Sequence, residues 1–174
     1  STIIRRSKGM LNFVDEYRKL TKLPAPRLEI FSVEELLLES AQLMQAQAKE
    51  NNVIIEVKPV PSKLALNADR KMIEQVLINL VGNGIHAQPG PNGGYITLSA
   101  QLQNTQLVIE VQDKGPGIPE DILPSIFIPF FTTRKNGTGI GLTLSKNIMQ
   151  LHKGGLSVIS APDEGAKFQL SFGI

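Results

Sequence analysis

The chain has 174 residues, 41% of them hydrophobic, which suffices for one well-buried domain with an appendage. Its formal charge of +2, with no block of like charge, gives no electrostatic footprint for nucleic acid, and with no tryptophan and 5% aromatics a base-stacking surface is not expected. The absence of cysteine excludes disulfides and thiolate metal sites, no apolar run reaches the roughly 20 residues that span a bilayer, and no signal-peptide pattern opens the chain.

Residues 3–21 place Ile3, Met10, Val14, Tyr17 and Thr21 at four-three spacing beside Leu11, Phe13 and Leu20, with Arg5, Arg6, Lys8, Arg18 and Lys19 between them. This predicts a basic helix with an apolar seam suited to packing on another helix. Because the pattern is already helical at its first residues, we expect a fragment of a longer protein. Leu23-Pro24-Ala25-Pro26 stops the helix and opens a linker over 23–31. Ser32-Val33-Glu34-Glu35 is a capping box, and Leu36, Leu37, Leu43 and Met44 supply the buried side of the next helix. Val53–Val57 reads as a strand, Leu64-Ala65-Leu66 as a short one, and Asn67 or Asp69 as the cap of a following helix.

In that helix Ile73, Val76, Leu77 and Leu80 form the core stripe. Asn79, Asn83 and His86, four and three apart, share a second, polar face. The loop Pro89-Gly90-Pro91-Asn92-Gly93-Gly94 precedes a hairpin in which Ile96, Leu98, Ala100 and Leu102, then Leu107, Ile109 and Val111, alternate with mostly polar residues around a turn at Asn104-Thr105. The second strand runs into Asp113-Lys114-Gly115-Pro116-Gly117-Ile118. From there to Gly141 the chain lacks periodicity, and so long a connection is usually functional or mobile. A helix over about 140–151 and strands near 156–160 and 167–172, joined by Pro162-Asp163-Glu164-Gly165, complete an α+β, two-layer sandwich: a mixed, mostly antiparallel sheet backed by helices and preceded by one bundle-type helix.

Taken singly, each polar feature has an ordinary structural explanation. A helical Asn is usually solvated, an Asp-x-Gly-x-Gly is usually a turn, a glycine run is a flexible loop, and phenylalanines pack in cores. Each also has a chemical use. A carboxamide oxygen is a hard, uncharged ligand for Mg²⁺. Asp113 can accept a hydrogen bond from an exocyclic amine while its glycines admit a ligand to the backbone. Gly137-Thr138-Gly139-Ile140-Gly141 opens a helix whose free N–H groups and dipole suit phosphate. Arg134, after Phe130-Phe131-Thr132-Thr133, can clamp phosphate. His86 and His152 are too few and too separated for a zinc site.

As an ordered set, the Asn-x-x-x-Asn helix, strand-Asp-x-Gly-x-Gly, Phe-Phe-Thr-Thr-Arg and Gly-x-Gly-x-Gly resemble the ATP-binding catalytic domain of sensor histidine kinases, within the Bergerat-fold (GHKL) superfamily. The resemblance covers about residues 28–174. It implies a catalytic domain over 32–174, and residues 1–22 look like the second helix of the dimerisation and phosphotransfer hairpin. It implies ATP and Mg²⁺ as cofactors, with Asn83 on the metal, Asn79 supporting metal or phosphates, and Asn79, Asn83 and Arg134 as the catalytic set. His86 falls where such kinases often carry Lys or Arg, which makes any phosphate contact there pH-sensitive. Asp113 would recognise the adenine amino group, with Gly115, Gly117 and Ile118 shaping the base pocket. Phe130, Phe131, Thr132, Thr133 and Arg134 would belong to the lid, and Gly137, Thr138, Gly139, Ile140, Gly141 and Leu142 to its hinge and phosphate end. Gly84 stands where the family usually has Ala.

The same resemblance implies a two-component phosphorelay: transfer of the γ-phosphoryl group to a histidine upstream of Ser1, then to a response-regulator receiver domain, in a homodimer formed through the helical hairpin. It implies a cytoplasmic domain of a parent that is free to be membrane-anchored, without nucleic-acid or membrane contact by this fragment. Related ATPases carry Glu four residues before the metal-binding Asn; here that residue is Asn79, and an amide cannot take a proton from water. The competing readings are a nucleotide-responsive binding module, a GHKL-type ATPase without kinase activity, and a serine/threonine kinase of the anti-sigma type.

Overall fold

The structure is a computed structural model and describes residues 2–88 and 90–174; Ser1, and Pro89 at the head of the expected Gly/Pro loop, lie outside them. Helix α1 (Thr2–Thr21) is followed by β1 (Glu29–Ser32), α2 (Val33–Glu50), β2 (Val53–Val57), β3 (Ala65–Ala68) and α3 (Arg70–Ala87). The hairpin β4 (Gly94–Gln103) and β5 (Gln106–Asp113), then α4 (Gly141–Leu151), β6 (Gly155–Ser160) and β7 (Ala166–Gly173), complete the chain. The only regular turn between β5 and α4 is a 3₁₀ segment at Leu123–Ser125.

Five strands form one sheet in the order β2-β4-β5-β7-β6, antiparallel except for the parallel pair β2–β4. Strand β1 was not expected. Its Glu29–Ser32 falls in the stretch read as linker, and pairs antiparallel with β3 in a separate two-stranded sheet. Four residues with two of them exposed carry too little alternation to register as a strand.

Helices α2, α3 and α4 cover one face of the large sheet. On α3 the stripe Met72, Ile73, Val76, Leu77, Leu80, Val81 and Ile85 is buried against Ile96, Leu98, Ile109 and Val111. Each such side chain contributes about 1.5–3 kcal/mol when fully buried. The opposite sheet face is polar. There Gln169 donates to Glu110 at 2.6 Å, Lys167 lies 3.8 Å from the same carboxylate, and Tyr95 bonds Glu56. This is the wet-outside, dry-inside sheet that the alternation in β4 and β5 implies. Val108, buried on the polar side, and Leu102, exposed at the hairpin end, depart from it.

Side-chain caps set the helix starts. Ser32 accepts from the Glu35 N–H at 3.3 Å at the head of α2. Asp69, rather than Asn67, caps α3 by accepting from Met72 N–H at 3.1 Å, and its other oxygen takes Arg27 N–H at 2.8 Å. The Asp69 N–H in turn donates to His152 Nε2 at 3.0 Å, while His152 Nδ1 donates to Ile148 O at 2.7 Å. The neutral imidazole at the end of α4 therefore fastens it to the beginning of α3, and the two helices run antiparallel. Helix α1 leaves Ile3, Met10, Leu11, Phe13 and Tyr17 exposed, as its apolar seam implies. Among the described residues, no helix is long and apolar enough to cross a membrane.

Burial by itself would raise the Asp69 carboxyl, but the N–H groups of Arg27, Met72 and Lys71 hold it below its ordinary value of 3.8. A depressed folded-state value contributes stability at higher pH that is lost as pH falls through it. Asp69→Ala should thus cost about 1–2 kcal/mol in urea unfolding at pH 7, and the two stability curves should converge in acid. At Gly82 a Cβ would meet only Met44 Cε, at 3.6 Å, whereas at Gly84 it would lie 3.0 Å from Ile96 Cδ1. Gly82→Ala should raise stability by about 0.5–1 kcal/mol, and Gly84→Ala should gain less.

Candidate functional site

The C-terminal half of α3, the end of β5, the start of β7, the 114–140 segment and the first turn of α4 enclose a cavity of about 480 Å³. Asn79, Asn83 and His86 line it from α3, Asp113 from β5, and Gly141 and Leu142 from α4. Gly117 and Ile118, then Thr132, Thr133 and Arg134, then Gly137, Thr138 and Gly139 line it from the long segment.

At one end lies Asp113, only 6% exposed. Its Oδ1 accepts from the N–H of Gly115 at 2.8 Å and of Ala166 at 3.3 Å, which leaves Oδ2 without a partner among the described residues. Burial pushes this carboxyl above its ordinary range, and the two backbone donors oppose the shift. Close packing holds the turn. Gly117 has φ +78°, and a Cβ there would overlap Ala161 O, while one at Gly165 would overlap Asp113 O. Ile118, Ile122, Ile126, Ala166 and Phe168 make the neighbouring wall apolar.

At the other end α4 begins without a side-chain cap, so its first N–H groups are left for a ligand beside Gly141 and Leu142. Asn79 Nδ2 donates to Ser145 Oγ of α4 at 3.0 Å. Asn83 Oδ1 accepts from Arg134 Nη1 at 3.5 Å, so this neutral oxygen already faces a cation. His86 is exposed and donates from Nδ1 to Gly82 O at 2.6 Å, which leaves Nε2 free. Asp113 is the one carboxylate on the cavity wall, at the end away from Asn83 and α4.

The segment over this end has its own fastenings. Thr143 Oγ1 donates to Phe127 O at 2.9 Å, and Phe130 N–H to Gly139 O at 2.7 Å. Phe130 is held at φ +66°, a costly conformation for an aromatic residue, with its ring stacked on Phe13 of α1 at 4.9 Å and 24°.

Three residues expected at the site lie off the wall. Gly115 acts behind it by donating to Asp113, Phe130 turns out to α1, and Ile140 is 1% exposed in the core. The sequence reading passed over Ala87, Pro116, Pro119, Ile122, Ile126, Asn136, Ala166 and Phe168. For Ala166 and Phe168 the period-two pattern of β7 was the available signal, and for Ala87 its place one residue after His86 on α3; the others sit in a stretch without periodicity.

Residues 68–173 match the family described as histidine kinase-, DNA gyrase B-, and HSP90-like ATPases. Sporulation kinase A of Bacillus subtilis is 33% identical over 172 residues, 99% of this chain and 26% of its own length. The chain spans about a fifth to a third of the length of the curated relatives that it matches. The nucleotide-free catalytic domain of histidine kinase ThkA superposes with a TM-score of 0.76 at 32% identity, over 84% of this chain and 95% of that one. ThkA in complex with the response regulator protein TrrA gives 0.79 at 28% identity, over 99% and 49%. Full-length ShkA in complex with AMPPNP gives 0.79 at 26%, over 98% and 37%. The chain thus belongs to the histidine kinase-, DNA gyrase B- and HSP90-like ATPase family, in the form taken by the catalytic domains of sensor histidine kinases.

Proposed function

We propose that the chain binds Mg-ATP in this cavity and delivers the γ-phosphoryl group to a histidine on a preceding helix, from which a response-regulator receiver domain takes it. The observation that carries this reading is the asymmetry of the cavity: a buried carboxylate with one free oxygen at one end, neutral amides and an uncapped helix at the other. Asp113 Oδ2 would accept from the adenine N6 amine, and the apolar wall would cover the ring. The start of α4 and Arg134 would take the phosphates. Asn83 would hold Mg²⁺ through Oδ1, with Asn79 supporting this end. The donor set fits a metal that arrives with nucleotide, because no group of three or more His, Asp or Glu ligands exists among the described residues. Bound there, Mg²⁺ would neutralise charge on the phosphates as they transfer.

Phosphoryl transfer depends on positioning and charge neutralisation more than on a strong base, and a neutral imidazole offers its own lone pair. Water needs a base, and the amide of Asn79, which stands where related ATPases carry Glu, cannot act as one. The two histidines of the chain are poor acceptors. Both ring nitrogens of His152 are engaged, and His86 lies on the helix that would bind the nucleotide. Residues 1–22 are read as the second helix of a dimerisation hairpin, with a linker that ends where β1 begins at Glu29. The exposed seam of α1 and the ThkA–TrrA complex support the dimer and the regulator as partners.

Calorimetry should show ATP binding at least about tenfold tighter than GTP, which presents a carbonyl where adenine presents an amine. Asp113→Asn should keep the fold and lose about 2 kcal/mol of ATP affinity, roughly thirtyfold, because its NH₂ would face the amine. Equal binding of ATP and GTP would overturn the base assignment. Incubated with labelled ATP, the chain alone should release phosphate slowly and acquire no acid-labile label; supplying the upstream helix should restore labelling, on that helix.

A further inference from the structure

Helix α4 buries two hydroxyls near its start, Thr143 at 8% and Ser145 at 2% exposure, among the apolar Leu144, Ile148 and Met149. A hydroxyl in such surroundings is unfavourable unless it is bonded. Thr143 is used at the root of the cavity cover, through Phe127 O. Ser145 is used between helices, where its Oγ accepts from Asn79 Nδ2 at 3.0 Å. Gly141 stands four residues earlier and shares that face of α4, and a Cβ on it would overlap Asn79 Oδ1. The Asn79 carboxamide is therefore held by its nitrogen and lies with its oxygen across a bare Cα. Asn83, one turn along α3, has only the exposed Arg134 as partner. Of the two α3 amides facing the cavity, one is anchored to the buried Ser145 and the other is left adjustable.

From this geometry we propose that Ser145 is a positioning residue for nucleotide binding: it fixes the Asn79 carboxamide and so sets the phosphate end of the cavity before ligand arrives. The proposal rests on the nucleotide reading of the site. Without the hydroxyl, Asn79 Nδ2 loses its partner, the amide rotates to find another, and the cost of reordering it falls on binding. That cost is specific to one end. Asp113 is held independently by Gly115 and Ala166, so recognition of the base does not depend on Ser145.

The test is calorimetry of the chain with Mg-ATP and with adenosine, for Ser145→Ala, Asn79→Ala and the double variant. Ser145→Ala should weaken Mg-ATP about tenfold and change adenosine by less than about twofold. It should add nothing once Asn79 is Ala, because two members of one interaction are not additive. Unchanged Mg-ATP affinity, equal losses for both ligands, or full additivity with Asn79→Ala would each overturn the proposal. If the unsubstituted chain binds neither ligand, the nucleotide reading falls and the proposal with it.

Discussion

The contact on which the rest depends is the packing of α3 flat on the sheet. Ile73, Val76, Leu77, Leu80 and Val81 occupy one stripe and are buried by β4 and β5. At about 100° per residue, this fixes where every other residue of the helix points. Asn79, Asn83 and His86 line the cavity because their neighbours are committed to the core. The same contact brings α3 over the end of β5, where Gly84 lets the helix approach Asp113 Cβ closely. The Asp113 and Asn83 ends of one cavity are thereby positioned by a single helix–sheet interface, and the long, irregular 114–140 segment need only cover it.

Much of this was legible because it rests on periodicity. The stripe of α3, the alternation in β4 and β5 and the helix after Gly141 are repeated local choices that all agree with the final packing. Strand β1 was missed since it depends on a partner, β3, far away in sequence. The choice of Asp69 over Asn67 as cap turned on Arg27 and His152, which no local pattern announces. Site residues divide in the same way. Asn79, Asn83 and Asp113 stood out by chemical type and order, whereas the apolar wall of Ile122, Ile126 and Phe168 looked like any core until the cavity was seen.

Phe130 shows the limit of motif reading. Its neighbours Phe131 and Thr132 face the cavity, but its own positive φ turns the ring away to stack on Phe13. A side chain's direction follows from its backbone dihedrals, and a sequence match carries no dihedrals. Gly139 completes this geometry. Its φ of +70° and the lack of room for a Cβ against Phe130 explain why glycine is needed at that point. Ile140, between two cavity glycines, is drawn into the core for the opposite reason.

The bond from Asp69 N–H to His152 joins α3 and α4 at the ends remote from the cavity. Asn83 stands fourteen residues along α3 from that junction, about 20 Å at the helical rise. The pair is tied a second time nearer the cavity, where Asn79 Nδ2 donates to Ser145 Oγ. Over that length a tilt of about three degrees between the helices would move the Asn83 end by about 1 Å, a scale that matters to any contact made there. His152 thus fixes, together with the Asn79–Ser145 bond, the angle between the two helices that line the cavity.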